Sequence, residues 1–386
     1  MENFTYQAGT KVLFGKGELD QLPQELIPYG NKILMCYGGG SIRRTGLYKQ
    51  IKDRLPDFEI YELGGIAANP KMESVREGVA LCRDHDIEAI LAVGGGSVID
   101  CAKAIAAATF YEGDPWQMIE TAAQPGQALP LITVPTMAAT GSEYDAGAVI
   151  SNPATNQKIG YDSELIRPKV SILDPTFTFS VPASQTTAGS ADIFSHLLEQ
   201  YFAAPTSFMA DRLVEGMMKT LLTFAPKALE NPEDYEARAE LLWISSLACN
   251  GLLSLGSQYG GWSCHAIEHE LSAFYDLTHG AGLAIVTPQW MRHVLNEETV
   301  DRFVQYGKEV WGLEEQEDRF ETAEAAIAKT EDFFRSLGIA MHLSEVNIDE
   351  THFDEMAERA VKNGFLEYAW VPLEASDVRA ILEASL

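Results

Sequence analysis

Residues 89–108 read AILAVGGGSVIDCAKAIAAA. The first five are apolar and rich in strand formers, three glycines and Ser97 follow, and Val98–Ala108 is an alanine-rich helical pattern. An unbroken apolar run of this kind marks a strand buried on both faces, as in a parallel sheet. Between such a strand and a helix, bare backbone N–H groups and the helix dipole suit a pyrophosphate. The lack of side chains lets the phosphate come close, and Ser97 adds a hydroxyl donor. The spacing is not G-x-G-x-x-G, so the loop alone marks either a phosphate cradle or a tight turn that needs positive φ.

Working outward, the same strand–glycine–helix grammar recurs. Lys32–Tyr37 (KILMCY) runs into Gly38-Gly39-Gly40-Ser41, Glu59–Leu63 ends at Gly64-Gly65, and Ser74–Asp86 has helical apolar spacing. Leu131–Val134 is a strand closed by Pro135-Thr136, and Ala146–Ser151 and Val170–Leu173 read as two more. Such alternation predicts a parallel sheet with helices on both faces. After Val181-Pro182 the pattern becomes helical, through Met209–Ala225, Glu236–Leu255, Ala281–Asn296, Thr322–Leu337, Glu355–Asn363 and Ala375–Ala384. The expected fold class is therefore α/β plus all-α, with a sheet domain over 1–182 and a helical domain over 183–386. The acidic run Glu314–Asp318 reads as a solvated turn.

With 386 residues, 46% of them hydrophobic and 22% charged, the chain has room for two domains with sizeable cores. A formal charge of −28 argues against nucleic acid or an anionic membrane as partner. Cys36, Cys82, Cys101, Cys249 and Cys264 are odd in number and scattered, the pattern of reduced thiols in a cytoplasmic protein. No secretory leader pattern and no apolar run long enough for a membrane span are visible.

The loop Gly38–Ser41 holds no acidic residue to grip a ribose 2′-hydroxyl, and Arg43 and Arg44 follow it. That favours NADP(H), with NAD(H) as the alternative. The loop Pro135–Glu143 concentrates small residues and hydroxyls suited to a cofactor, though a plain connection explains it nearly as well. Lys158, taken alone, reads as a surface lysine.

Four of the eight histidines fall in two segments. In SADIFSHLLEQYF, Asp192 and His196 stand four apart on a helix and share a face. In HAIEHELSAFYDLTHGAGLAIVTP, His265 and His269 are again four apart, and His279 precedes Gly280 at a helix entry. One carboxylate with several imidazoles suits Zn²⁺ or Fe²⁺ and not Ca²⁺ or Mg²⁺. Periodicity does not decide between His265 and His269 as the ligand, since both lie on one face.

The stretches GGGSVIDCAKAIAAA (94–108), PTMAATGSEYDAGAVIS (135–151), ADIFSHLLEQY (191–201) and HAIEHELSAFYDLTHGAGLAIVTP (265–288) resemble those of the iron-containing alcohol dehydrogenase family. The branch it is most similar to is butanol dehydrogenase-like and includes NADPH-dependent aldehyde reductases. The resemblance implies a Rossmann-like first domain, a helical second one and a homodimer. It implies Asp192, His196, His265 and His279 as metal ligands, with His269 near the nicotinamide as a proton-relay group. It further implies Gly38, Gly39 and Ser41 at the adenosine ribose. Asn69, Gly95, Gly96, Ser97, Asp100, Thr136, Thr140 and Lys158 would line the rest of the cofactor. Met137, Ala139, Glu270 and Ser272 depart from the common family pattern.

The function so implied is hydride transfer between a nicotinamide and short- to medium-chain alcohols or aldehydes, with Fe²⁺ or Zn²⁺ as Lewis acid. A dehydroquinate synthase-like or polyol dehydrogenase activity would use the same fold. A metal-dependent hydrolase is a rival of another class, but HAIEH lacks the H-E-x-x-H order such an enzyme needs.

Overall fold

The computed structural model describes residues 1–203, 206–258 and 260–386. The chain forms two compact units, one of Gln7–Pro182 with Asn231–Asn250, the other of Met1–Tyr6, Ala183–Glu230 and Gly251–Leu386.

Six strands build the sheet of the first unit: β1 (Lys11–Phe14), β2 (Lys32–Tyr37), β3 (Glu59–Leu63), β4 (Ala89–Gly94), β5 (Leu131–Pro135) and, after a separate pair, β8 (Val170–Leu173). Their order is β1-β8-β5-β4-β2-β3, and every pairing is parallel. The separate pair is an antiparallel ribbon of β6 (Gly147–Asn152) and β7 (Gln157–Asp162). The 146–151 run is thus a strand, but it belongs to that ribbon and not to the main sheet. Successive residues of β2 and β4 enter opposite cores. Leu34, Cys36, Ile90 and Ala92 pack on one face, and Ile33, Met35, Ala89, Leu91 and Val93 on the other. Burial on both faces is why these strands carry no polar alternation.

Register sets where loops emerge. Tyr37 pairs with Val93 and Val93 with Val134, so the segments after β2, β4 and β5 leave the same edge side by side. From β2 the chain moves outward to β3, and from β4 it moves the other way to β5. The topological switch point, where open α/β sheets bind ligands, therefore lies between the loops Gly38–Ser41 and Gly94–Ser97.

The helix Tyr235–Ala248, read from sequence as part of a continuous helical domain, is counted with the sheet unit. Its serines explain the attachment. The Ala139 N–H donates to Ser245 Oγ at 3.0 Å, and Ser246 Oγ donates to the Glu143 carboxylate. Gly141, at φ 70°, lets the loop lie flat there, since a Cβ would fall 2.5 Å from the Ser245 carbonyl oxygen.

The second unit is built from helices, among them Ala183–Tyr201, Phe208–Glu230, Ser263–Tyr275, His279–Val294 and Val300–Trp311. The last is absent from the sequence expectations. Ala183–Tyr201 is buried around nearly its whole circumference from Thr186 onward, which marks it as the central helix of its unit. Gly280 allows the helix His279–Val294 to press its backbone onto Ala188 of that central helix, a spot where any Cβ would collide with the carbonyl. Among the described residues no helix is long and apolar enough to cross a membrane.

Candidate functional site

Three helices of the second unit bring the histidines together. Asp192 and His196 sit one turn apart on Ala183–Tyr201, His265 lies in the first turn of Ser263–Tyr275, and His279 opens His279–Val294. The Nε2 atoms of His196, His279 and His265 stand 3.5, 3.6 and 3.8 Å from the same Asp192 Oδ1. Asp192 Oδ1 and His265 Nε2 are buried and make no hydrogen bond. The separations are too long for hydrogen bonds. They are close to the roughly 3.4 Å between two donors each about 2.1 Å from one tetrahedral ion. A single atom from each of Asp192, His265 and His279 lies within 4.8 Å of the others. The donor set thus fits a divalent cation of the Fe²⁺ or Zn²⁺ type.

Electrostatics point the same way. Burial would push the Asp192 carboxyl up, but the imidazoles of His196, His265 and His279 hold it well below the usual carboxylate range. His196 is driven down to about 3 by burial, which keeps its imidazole neutral, as a ligand must be. His265 is also buried, yet the carboxylates of Glu199 and Asp192 raise it to about 9. Carboxylates on both sides of its ring, Glu199 at Nδ1 and Asp192 beyond Nε2, favour positive charge there.

Two carboxylates that the sequence reading left unassigned complete the cluster. Glu199 Oε2 meets His265 Nδ1, and Glu268 Oε2 meets His279 Nδ1. A signal was present: Glu199 is three residues beyond His196, and Glu268 three beyond His265, on the ligand faces of their helices. Glu268 does not serve as the free glutamate base of a hydrolase, because His279 and Ser272 take its two oxygens.

His269 is half-buried and lies beside His279, with ring centroids 5.6 Å apart, in a grouping with Glu268 and His279 that excludes Asp192. Geometry thereby separates two residues that helical spacing leaves equivalent.

In the sheet unit, Gly40 adopts a left-handed φ of 96° at the start of Ser41–Arg44, folding the loop so that the Gly40 N–H donates to the Gly38 carbonyl. Gly95 caps the helix Gly96–Ala108, and Gly96 faces Thr140, whose Cβ is 2.9 Å from where its own would stand. Thr136 N–H donates to the Gly94 carbonyl and Thr140 Oγ1 accepts from Ser142 N–H, tying the β4 and β5 loops together. Asn69 has a left-handed φ of 49° in the segment after β3. Lys158, a surface lysine on its own sequence context, is buried across the ribbon from Ser151. Asp100 is buried too, and its oxygens accept from Ser142 Oγ at 2.6 Å and Val149 N–H at 3.0 Å. Its carboxylate braces the β5 loop.

The two arginines differ. Both are exposed, but Arg43 donates to Tyr37 Oη at 2.6 Å and Glu62 at 3.1 Å and lies over the Tyr48 ring. Glu62, which also accepts from Tyr37 and Tyr48 and pairs with Lys52, is fully engaged.

Comparisons with known proteins agree with this geometry. The profile for iron-containing alcohol dehydrogenase matches residues 9–175, and that for the C-terminal part of the Fe-containing alcohol dehydrogenase family matches residues 186–386. The chain is 46% identical to NADH-dependent butanol dehydrogenase A of Clostridium acetobutylicum, over the full length of both. It is 38% identical to the NADPH-dependent aldehyde reductase YqhD of Escherichia coli, over 95% of each chain. The crystal structure of NADH-dependent butanol dehydrogenase A from Thermotoga maritima superposes with a TM-score of 0.95 at 38% identity, covering 100% of this chain and 99% of that one. With a parallel sheet that presents glycine loops at its switch point and a helical unit that groups Asp192 with His265 and His279, and with His196 one turn away, the chain belongs to the iron-containing alcohol dehydrogenase family.

Proposed function

We infer that the chain works as an aldehyde reductase, a metal-dependent, NAD(P)H-linked alcohol dehydrogenase for short- to medium-chain substrates. The observation that carries this reading is the convergence of three imidazole Nε2 atoms on one Asp192 oxygen at ligand-pair spacing. Asp192, His196, His265 and His279 would hold the cation. When bound, the cation polarises the substrate oxygen while reduced nicotinamide supplies the hydride.

The chain's own residues do the positioning. Burial of Asp192, His196 and His265 excludes water from the ligand atoms. His269, half-exposed beside His279, exchanges the proton of the substrate oxygen through a ring nitrogen. In the sheet unit, Gly38, Gly39 and Ser41 receive the adenosine ribose. Asn69, Gly95, Gly96, Ser97, Thr136, Thr140 and Lys158 line the remainder, with Asp100 bracing from behind. Residues 1–182 would thus be the dinucleotide domain and 183–386 the metal domain, the former supplemented by the helix Tyr235–Ala248. The working form is a cytoplasmic homodimer.

NADP(H) is the preferred cofactor on this reading. The Gly38–Ser41 loop carries no acid, Glu62 is saturated by its own neighbours, and Arg44 is exposed beside the loop. NADH is the second reading, favoured by the commitment of Arg43 to Glu62. The test follows reduced-nicotinamide absorbance with butanal and NADPH or NADH, before and after Fe²⁺ or Zn²⁺ is returned to metal-stripped protein. Cofactor oxidation that requires the metal and runs faster with NADPH is expected. No oxidation with any of several aldehydes would sink the dehydrogenase reading, and faster turnover with NADH would reverse the cofactor choice.

A further inference from the structure

Of the three imidazoles around Asp192, two are held from behind and one is not. His265 Nδ1 meets Glu199 Oε2, and His279 Nδ1 meets Glu268 Oε2. His196 Nδ1 is buried with no hydrogen-bond partner. Both glutamates are buried, Glu199 at 2% exposure and Glu268 at 0%. Each is itself pinned through its other oxygen. The Cys264 N–H donates to Glu199 Oε1 at 2.6 Å, and Ser272 Oγ donates to Glu268 Oε1. A slot is built for the second glutamate, because a Cβ on Gly282 would fall 2.8 Å from Glu268 Cγ. Ser272, one of the departures from the common family pattern, is the residue that anchors it.

We propose that Glu199 and Glu268 are positioning residues that lock His265 and His279 as Nδ1–H tautomers, aim both Nε2 lone pairs at the cation and set the strength with which it is held. The proposal rests on the metal reading above. An imidazole whose Nδ1–H is held by a carboxylate has one tautomer, a fixed ring plane and a more basic Nε2. With Asp192 the glutamates also place three buried carboxylates around one point, a charge that a divalent cation offsets and that apolar packing does not explain. His196, without such a partner, is the most weakly oriented of the three.

The experiment titrates Zn²⁺ into metal-stripped protein against a chelator of known affinity, for wild type, Glu199→Gln and Glu268→Gln. It also records the visible bands of Co²⁺-loaded protein and the Tm rise that Zn²⁺ produces. Glutamine keeps the shape and removes the charge. Each variant is expected to bind Zn²⁺ about 10–100-fold more weakly, the range for outer partners of metal-bound histidines. The Co²⁺ bands should shift and the metal-induced Tm rise should shrink, effects that loss of a merely structural contact would not produce. If Glu268→Gln does not fold, Ser272→Ala, which releases Glu268 Oε1 and the Leu277 carbonyl but keeps the glutamate charge, should show a smaller weakening in the same direction. Wild type that binds neither Zn²⁺ nor Co²⁺ overturns the metal reading itself. Wild type that binds, with variants of equal affinity and unchanged Co²⁺ bands, overturns this proposal and leaves the metal reading standing.

Discussion

One site in the helical unit and one in the sheet unit hold their buried carboxylates in opposite states. In the helical unit, Asp192 is kept ionised because three imidazoles surround it and outweigh its burial. In the sheet unit, burial raises Asp100 to about 6 and Glu143 to about 7, with only partial relief from Lys103 and hydroxyl donors. The residue type is the same and the neighbours decide. One region collects negative charge to receive a cation, and the other protects a set of backbone-lined loops whose donors suit an anion. On the proposed reading the first recognises through side chains and the second through their absence, at Gly95 and Gly96.

Removing Asp192 breaks that contrast most severely. Asp192→Ala should lower metal affinity by more than the roughly 100-fold upper end for an outer partner, since it deletes the one carboxylate of the proposed ligand set. Metal content after dialysis checks it, and retention of stoichiometric metal would remove Asp192 from the ligand set. NADPH binding by the sheet unit should be unchanged.

Glu143 tests the opposite state. Its folded value of about 7 exceeds the ordinary 4.5, so the folded chain holds a proton that the unfolded chain has released. Between about pH 4.5 and 7 the unfolded state binds fewer protons, and stability therefore falls as pH rises through that window. The full loss is on the order of 3 kcal/mol, from about 1.4 kcal/mol per pKa unit. Glu143→Gln does not titrate and should flatten this part of the profile. Thermal melts from pH 4 to 8 check it, and parallel profiles for the two proteins would contradict the raised carboxyl.

The smallest effect sharpens the side of the contrast built from backbone. A methyl group on Gly96 runs into Thr140, so Gly96→Ala should cost about 1–3 kcal/mol as overpacking and weaken NADPH binding without loss of metal. Adding Thr140→Ala should restore part of it. Fluorescence titration with NADPH reads the outcome, and undiminished binding in Gly96→Ala would show that this loop does not approach the cofactor.

The strands β2, β4 and β5 are legible in the chain because burial on both faces leaves only one pattern, a short apolar run closed by glycine or proline. Asp192, His196, His265 and His279 are legible by residue type and spacing, and the choice of His265 over His269 came from family resemblance before geometry separated them. β1 is four residues with only partly buried side chains, too short to carry a periodic signal, and its place beside β8 is a long-range pairing. The helix Tyr235–Ala248 looks like any other helix until Ser245 and Ser246 meet the 139–143 loop.

What the sequence by itself determined was the kind of each part: parallel strands with glycine loops, amphipathic helices, and an aspartate and histidines on helix faces, all set by local periodicity and residue chemistry. Only the tertiary structure decided which parts meet. The switch point between β2 and β4, the attachment of a late helix to the sheet unit, and the pairing of Glu199 with His265 across 66 positions are long-range contacts. Contacts at that range follow from burial and close packing of whole elements, which no local pattern encodes.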